Sequence, residues 1–108
     1  MELMMAWLIL FIAGIFEIVW SFAMKESHGF SKLAPSLVTI VGMLVSFGCL
    51  AWAMRVLPLG TAYTVWTGIG AVGAFLMGIF FLGEPASAMR IIAATLIVSG
   101  LILMKVSS

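Results

Sequence analysis

Charge is scarce in this chain. Five basic and four acidic side chains serve 108 residues, so charged groups make up 8% of the sequence, against about 25% in a typical soluble domain. So few charges cannot solvate the surface of a soluble fold this size, which excludes a cytosolic enzyme and a disordered chain. A net charge of +1 leaves no electrostatic footprint for DNA or RNA, so no nucleic-acid partner is expected. One cysteine, Cys49, allows neither an internal disulfide nor a Cys-rich metal site, and it reads as a small buried hydrophobe. The single histidine, His28, stands alone in a polar break. No metal and no cofactor are expected, and no nucleophile and base pair points to an enzyme. What is abundant is apolar: 65% of the residues are hydrophobic, which implies an integral membrane protein with short loops.

Four apolar runs are separated by three polar breaks. They span about 3–24, 33–54, 57–82 and 88–104, and form a single transmembrane domain over 1–108. A hydrocarbon core of about 30 Å needs about 20 helical residues. The length and continuity of the runs predict α-helices rather than a barrel. The run over 57–82 exceeds that need, so it is expected to tilt, bend or protrude. Gly29 is the candidate C-cap of the first helix, and Ser31 or Pro35 opens the second. Leu57–Gly60 makes a tight turn into the third helix, and Gly83-Glu84-Pro85 ends it. The first run has an acid within it, so it is read as a span rather than a cleaved signal peptide. Met1 and Met5 are both plausible starts.

Lys25, Lys32 and Arg90 fall on one side of the membrane, and Arg55 and Lys105 on the other. This near-even count gives almost no orientation signal. It allows a weakly biased single topology, or insertion both ways with antiparallel self-pairing. Four helices alone make a thin bundle with little room for a solvated cavity. Two copies give eight helices.

Glu17 interrupts the first run. A charge at that depth costs at least about 2.5–3.5 kcal/mol on insertion scales, and no Lys or Arg lies at comparable depth to neutralise it. It reads as an ion or proton site, with a purely structural hydrogen-bonding role as the alternative. Helical spacing puts Leu10, Ala13, Gly14, Glu17, Trp20, Ser21 and Met24 on one stripe. Phe11, Ile12, Ile15, Phe16 and Val19 lie opposite and suit lipid. One carboxyl cannot comfortably hold a proton and a cation together, and that competition is the minimal machinery of proton-coupled antiport.

Tyr63 and Trp66 share a face of the third run. Trp7 and Trp52 fit interfacial anchors, whereas Trp20 and Trp66 lie deeper. Their buried N–H groups need acceptors, and Glu17 is the obvious one. Core packing is the other reading for Trp66. Gly68, Gly70 and Gly73 read as close-packing positions, as a bend point, or both. Ser46 shares a stripe with Thr39, Gly42, Met43, Cys49 and Ala53, and a lone membrane serine usually bonds back to its own helix.

Three segments carry a family resemblance: Gly14-Ile15-Phe16-Glu17-Ile18-Val19-Trp20, Gly60-Thr61-Ala62-Tyr63, and Trp66-Thr67-Gly68-Ile69-Gly70-Ala71-Val72-Gly73. Across essentially the whole chain the sequence resembles the small multidrug resistance family, guanidinium-exporter subtype. Trp20 is the discriminator, because the polyaromatic-cation exporters of that family usually carry a small residue there. The resemblance implies an antiparallel, dual-topology homodimer of the bacterial inner membrane that exchanges protons for a cation by alternating access. It implies Glu17 as the shared ligand of proton and substrate, with Trp20, Ser46, Tyr63 and Trp66 hydrogen-bonding and orienting it. It further implies dimer contacts through the fourth span and movement of a kinked third span. Thr64 departs from the subtype, which commonly has Ala. It is expected to face another helix or the substrate portal and to loosen selectivity toward alkylated cations.

The competing readings are a broader quaternary-ammonium exporter of the same architecture, a non-transporting membrane subunit, and a passive cation channel.

Overall fold

The computed structural model describes residues 1–107 as an all-helical chain. Four helices follow one another: α1 (Glu2–Glu26), α2 (Leu33–Ala53), α3 (Leu59–Leu82) and α4 (Ala88–Val106). All four are long and apolar enough to cross a membrane. Each lies within a few residues of its apolar run, because continuous hydropathy decides where a lipid-spanning helix persists.

The ends differ from the sequence reading in three places, each for a local reason. Gly29 does not cap α1; Ser27 does. The fully buried Ser27 hydroxyl donates to Met24 O at 2.7 Å and accepts the Phe30 N–H at 3.0 Å. The chain then passes through left-handed backbone at His28, Gly29 and Phe30. Lys32, rather than Ser31 or Pro35, precedes the first residue of α2. Pro35 sits inside the first turn, where its missing N–H costs nothing. The overlong third run loses Leu57 and Pro58 to the turn, leaving 24 helical residues. Leu57 is buried there and donates its N–H to Ala53 O at 2.9 Å.

Gly83 closes α3 in the left-handed conformation, φ 69°, which a residue without Cβ adopts freely. The following N–H, of Glu84, bonds back to Gly78 O at 3.0 Å. Ser87 opens α4 by accepting the Arg90 N–H at 3.3 Å.

α1 packs against both α2 and α3, whereas α4 lies along α3. The result is a slab, 40 × 34 × 18 Å. No residue of α4 is buried. The core gathers toward one membrane face. It joins Ala6, Leu10 and Ala13 of α1, Leu50 and Ala53 of α2, and Ala62, Val65 and Trp66 of α3. Cys49 is partly buried against that cluster. Phe11, Ile12, Ile15 and Val19 are exposed, as expected for lipid-facing positions, and Phe16 is half-buried.

The same membrane face carries two anchors. Lys105 Nζ lies 4.8 Å from the Trp7 ring centre, and the Arg55 guanidinium lies 5.9 Å from that of Trp52. Both arrangements suit the membrane interface, where a ring is apolar and its neighbouring charge reaches water.

Candidate functional site

The site is built where small residues let helices approach. Gly14 of α1 is so close to α3 that a Cβ there would stand 2.6 Å from Ile69. Reciprocally, Gly70 of α3 is covered by the Glu17 carboxylate, and Gly73 by Ile18. Gly42 of α2 receives Trp20, whose Cβ would lie 2.9 Å from an added Cβ. Gly68 receives Leu101 of α4. Gly68, Gly70 and Gly73 are therefore all seats for side chains of neighbouring helices. α3 is helical throughout 59–82.

Glu17 thus lies on the inner face of α1, pressed against bare α3 backbone. Its Oε1 is buried with no hydrogen-bond partner, and so is the Trp20 Nε1. The sequence reading paired these groups; within one chain they do not meet as donor and acceptor. Each such orphan costs about 1–3 kcal/mol, and more when charged. A cost of that size in a native site signals a missing ligand, proton or partner.

The Trp66 indole also donates elsewhere. Its Nε1–H reaches Ser46 Oγ at 2.9 Å, and Ser46 Oγ–H donates to Ala13 O at 2.7 Å. Ser46 therefore does not bond back to α2, as an isolated membrane serine tends to. It ties α2 and α3 to the α1 turn that carries Glu17, since Ala13 is four residues before it. Ser46 is fully buried and Trp66 nearly so. Tyr63 is half-exposed, stacked at a tilt on Trp66 with centroids 5.5 Å apart.

Phe47 is the residue that sequence reasoning missed. Its ring meets Trp20 edge-on at 6.2 Å and Trp66 at 5.6 Å, so four aromatic side chains run Tyr63, Trp66, Phe47, Trp20 without a break. One signal existed: Phe47 directly follows Ser46 and lies one turn beyond Met43, at the edge of the stripe that marks the inner face of α2. Thr64 is exposed on α3 and lines a cleft of about 470 Å³ between α3 and α4, together with Tyr63, Thr67 and Leu101.

The two membrane faces of the chain are unequal. The core closes the face holding Arg55 and Lys105. Toward the opposite face a cavity of about 300 Å³ opens, lined by Ser21 and Lys25 of α1, Ala71 and Ala74 of α3, and beyond them Glu84 and Arg90. Ser21 is one helical turn from Glu17.

A carboxylate with no counter-ion among the described residues, on a helix able to cross a membrane and one turn from Ser21 at the cavity wall, fits a small multi-pass transport protein. The comparisons are specific about which. The family described as Small Multidrug Resistance protein matches residues 5–97. A protein named guanidinium exporter from Citrobacter freundii is 55% identical over 104 residues, 96% of this chain and 99% of that one. Proteins of the same name from Salmonella typhimurium and Escherichia coli (strain K12) are 55% and 56% identical over 104 residues, with the same coverage. The chain belongs to the small multidrug resistance family, and is a multi-pass protein of the bacterial inner membrane.

Proposed function

We propose that the protein exports guanidinium and related small guanidinyl cations in exchange for protons, by alternating access in an antiparallel homodimer. The observation that carries this reading is the buried Glu17 Oε1, which has no hydrogen-bond partner, in a chain whose relatives are named guanidinium exporters. Guanidinium is planar, small and permanently charged, and a carboxylate accepts two of its N–H groups in parallel. A proton occupying the same carboxylate excludes the cation, which makes exchange obligatory. Ser46 and Trp66 hold the backbone beneath Glu17, so little reorganisation is needed on binding. Trp20, backed by Phe47, narrows the pocket against large aromatic cations, and Tyr63 lies at the far end of the same aromatic series.

Several features support a second copy. An 18 Å slab cannot enclose a site, the Trp20 N–H lacks an acceptor, and α4 has no buried residue. Pairing through α4 would give an eight-helix assembly with two Glu17 carboxylates to grip opposite edges of one cation. The near-even basic count on the two faces suits dual topology. Packing at one face and a cavity at the other suit a protein that exposes its site to one side at a time. The bend allowing that change is assigned to α3 at Gly68, Gly70 and Gly73.

A broader quaternary-ammonium exporter is the second reading. It is favoured by Thr64, which opens onto the α3–α4 cleft. Transport of guanidinium and of a large quaternary ammonium by purified protein in liposomes separates the two. Guanidinium movement alone supports the first reading, movement of both supports the second, and movement of neither by folded protein overturns both.

A further inference from the structure

The cavity facing away from the core contains a second carboxylate, and its present occupant is informative. Glu84 follows the α3 cap, and its side chain folds back onto Gly78, where an added Cβ would collide with the carboxylate. The Glu84 N–H is meanwhile held by Gly78 O at 3.0 Å. This fixes the carboxylate at the mouth of the cavity whose inner end is Ser21, one turn from Glu17. Facing it is Arg90, with Nη2 at 4.0 Å from Glu84 Oε1. The same guanidinium lies over the Phe75 ring, 5.2 Å from its centre. A carboxylate at one edge and an aromatic face beneath are the two groups that recognise a planar guanidinium. The head group they hold here is chemically that of the proposed substrate, tethered to the chain.

We propose that Glu84 and Phe75 form an outer guanidinium site, in which Arg90 is an intramolecular occupant that an incoming cation displaces. The inference rests on the exporter reading and adds a second station to its path. The pair is loose and both side chains are about two-fifths exposed, 43% and 40%. Such pairs bind weakly and exchange readily. Lys25 also lines the cavity and opposes a second positive charge, so the site is weak by construction and passes its cation inward rather than retaining it. A free guanidinium competes with Arg90 for the same two partners and needs no new geometry.

The test is guanidinium titration of purified full-length protein in which Glu17→Gln has removed the deep site, followed by calorimetry or by the Arg90 resonance in NMR. One weak saturable site is expected to remain. Adding Arg90→Gln removes the tethered competitor and should tighten it at least threefold. Adding Glu84→Gln, which keeps the shape over Gly78, should abolish it. No saturable site in Glu17→Gln, or a site indifferent to Glu84→Gln, overturns the inference. Should Glu84→Gln fail to fold, Glu17→Gln with Arg90→Gln still decides: unchanged or weaker binding overturns it. Wild-type transport in liposomes is the separate check on the exporter reading. Its absence overturns that reading and this one, while transport without an outer site overturns only this one.

Discussion

Replacing Gly70 by alanine should damage substrate binding far more than it damages the fold. The added methyl would occupy the space of the Glu17 carboxylate, so the carboxylate must swing away. Overpacking costs about 1–3 kcal/mol, at the low end here because the displaced atoms are the end of a flexible side chain. Alanine recovers about 0.8–1.0 kcal/mol of helix propensity relative to glycine. The net change in stability is therefore small, about 0–2 kcal/mol. Binding has no such compensation. A displaced carboxylate forfeits charge-assisted hydrogen bonds worth about 1.5–3 kcal/mol each, so guanidinium affinity should fall at least tenfold. The control is Gly73→Ala, whose methyl would strike Ile18 rather than Glu17. Thermal unfolding in detergent and guanidinium titration of both variants provide the measurement. Affinity retained in Gly70→Ala refutes the seat argument. Equal losses of affinity in both variants refute it too, because the Gly73 methyl does not reach Glu17.

Three further outcomes are expected. Ser46→Ala removes two interhelical hydrogen bonds and strands the Trp66 N–H. Membrane hydrogen bonds average about 0.6 kcal/mol, with a maximum near about 1.7, so thermal unfolding in detergent should show a loss of about 1–3 kcal/mol, with weaker guanidinium binding; unchanged stability counts against the tie. Trp20→Gly should empty the seat against Gly42 and admit a large aromatic cation in a liposome uptake assay, and continued exclusion would show that Trp20 is not the wall. On the exchange reading, protons compete with the cation for the Glu17 carboxylates, so guanidinium affinity should fall as pH falls, approaching about tenfold per unit for each carboxylate that must lose its proton; a titration that is flat with pH contradicts shared occupancy.

The spans were legible because lipid demands long apolar helices, and no other signal had to be weighed. Helix ends were less so. A turn such as Leu57-Pro58 is as apolar as the helix beside it, and Ser27 outcompetes Gly29 through hydrogen bonds that composition does not display. In the site, Glu17 announced itself by charge, and Trp20 and Trp66 by depth. Ser46 did not, since its acceptor belongs to α1, 33 positions away in sequence. Phe47 was hidden among equally apolar neighbours. The seating of Glu17 on Gly70 is a contact between helices, and sequence spacing along α3 reads equally well as packing or as a bend. The outer pair of Glu84 and Arg90 looked like ordinary loop charge until the fold placed both beside Phe75 at one cavity.

The most direct measurement is guanidinium flux through purified protein in liposomes under an imposed pH gradient, comparing wild type with Glu17→Gln of matched helicity and dimer content. Uphill guanidinium movement driven by the gradient is expected in the wild type, and none in the variant. Substantial gradient-driven export by Glu17→Gln would contradict Glu17 as the shared site of proton and cation.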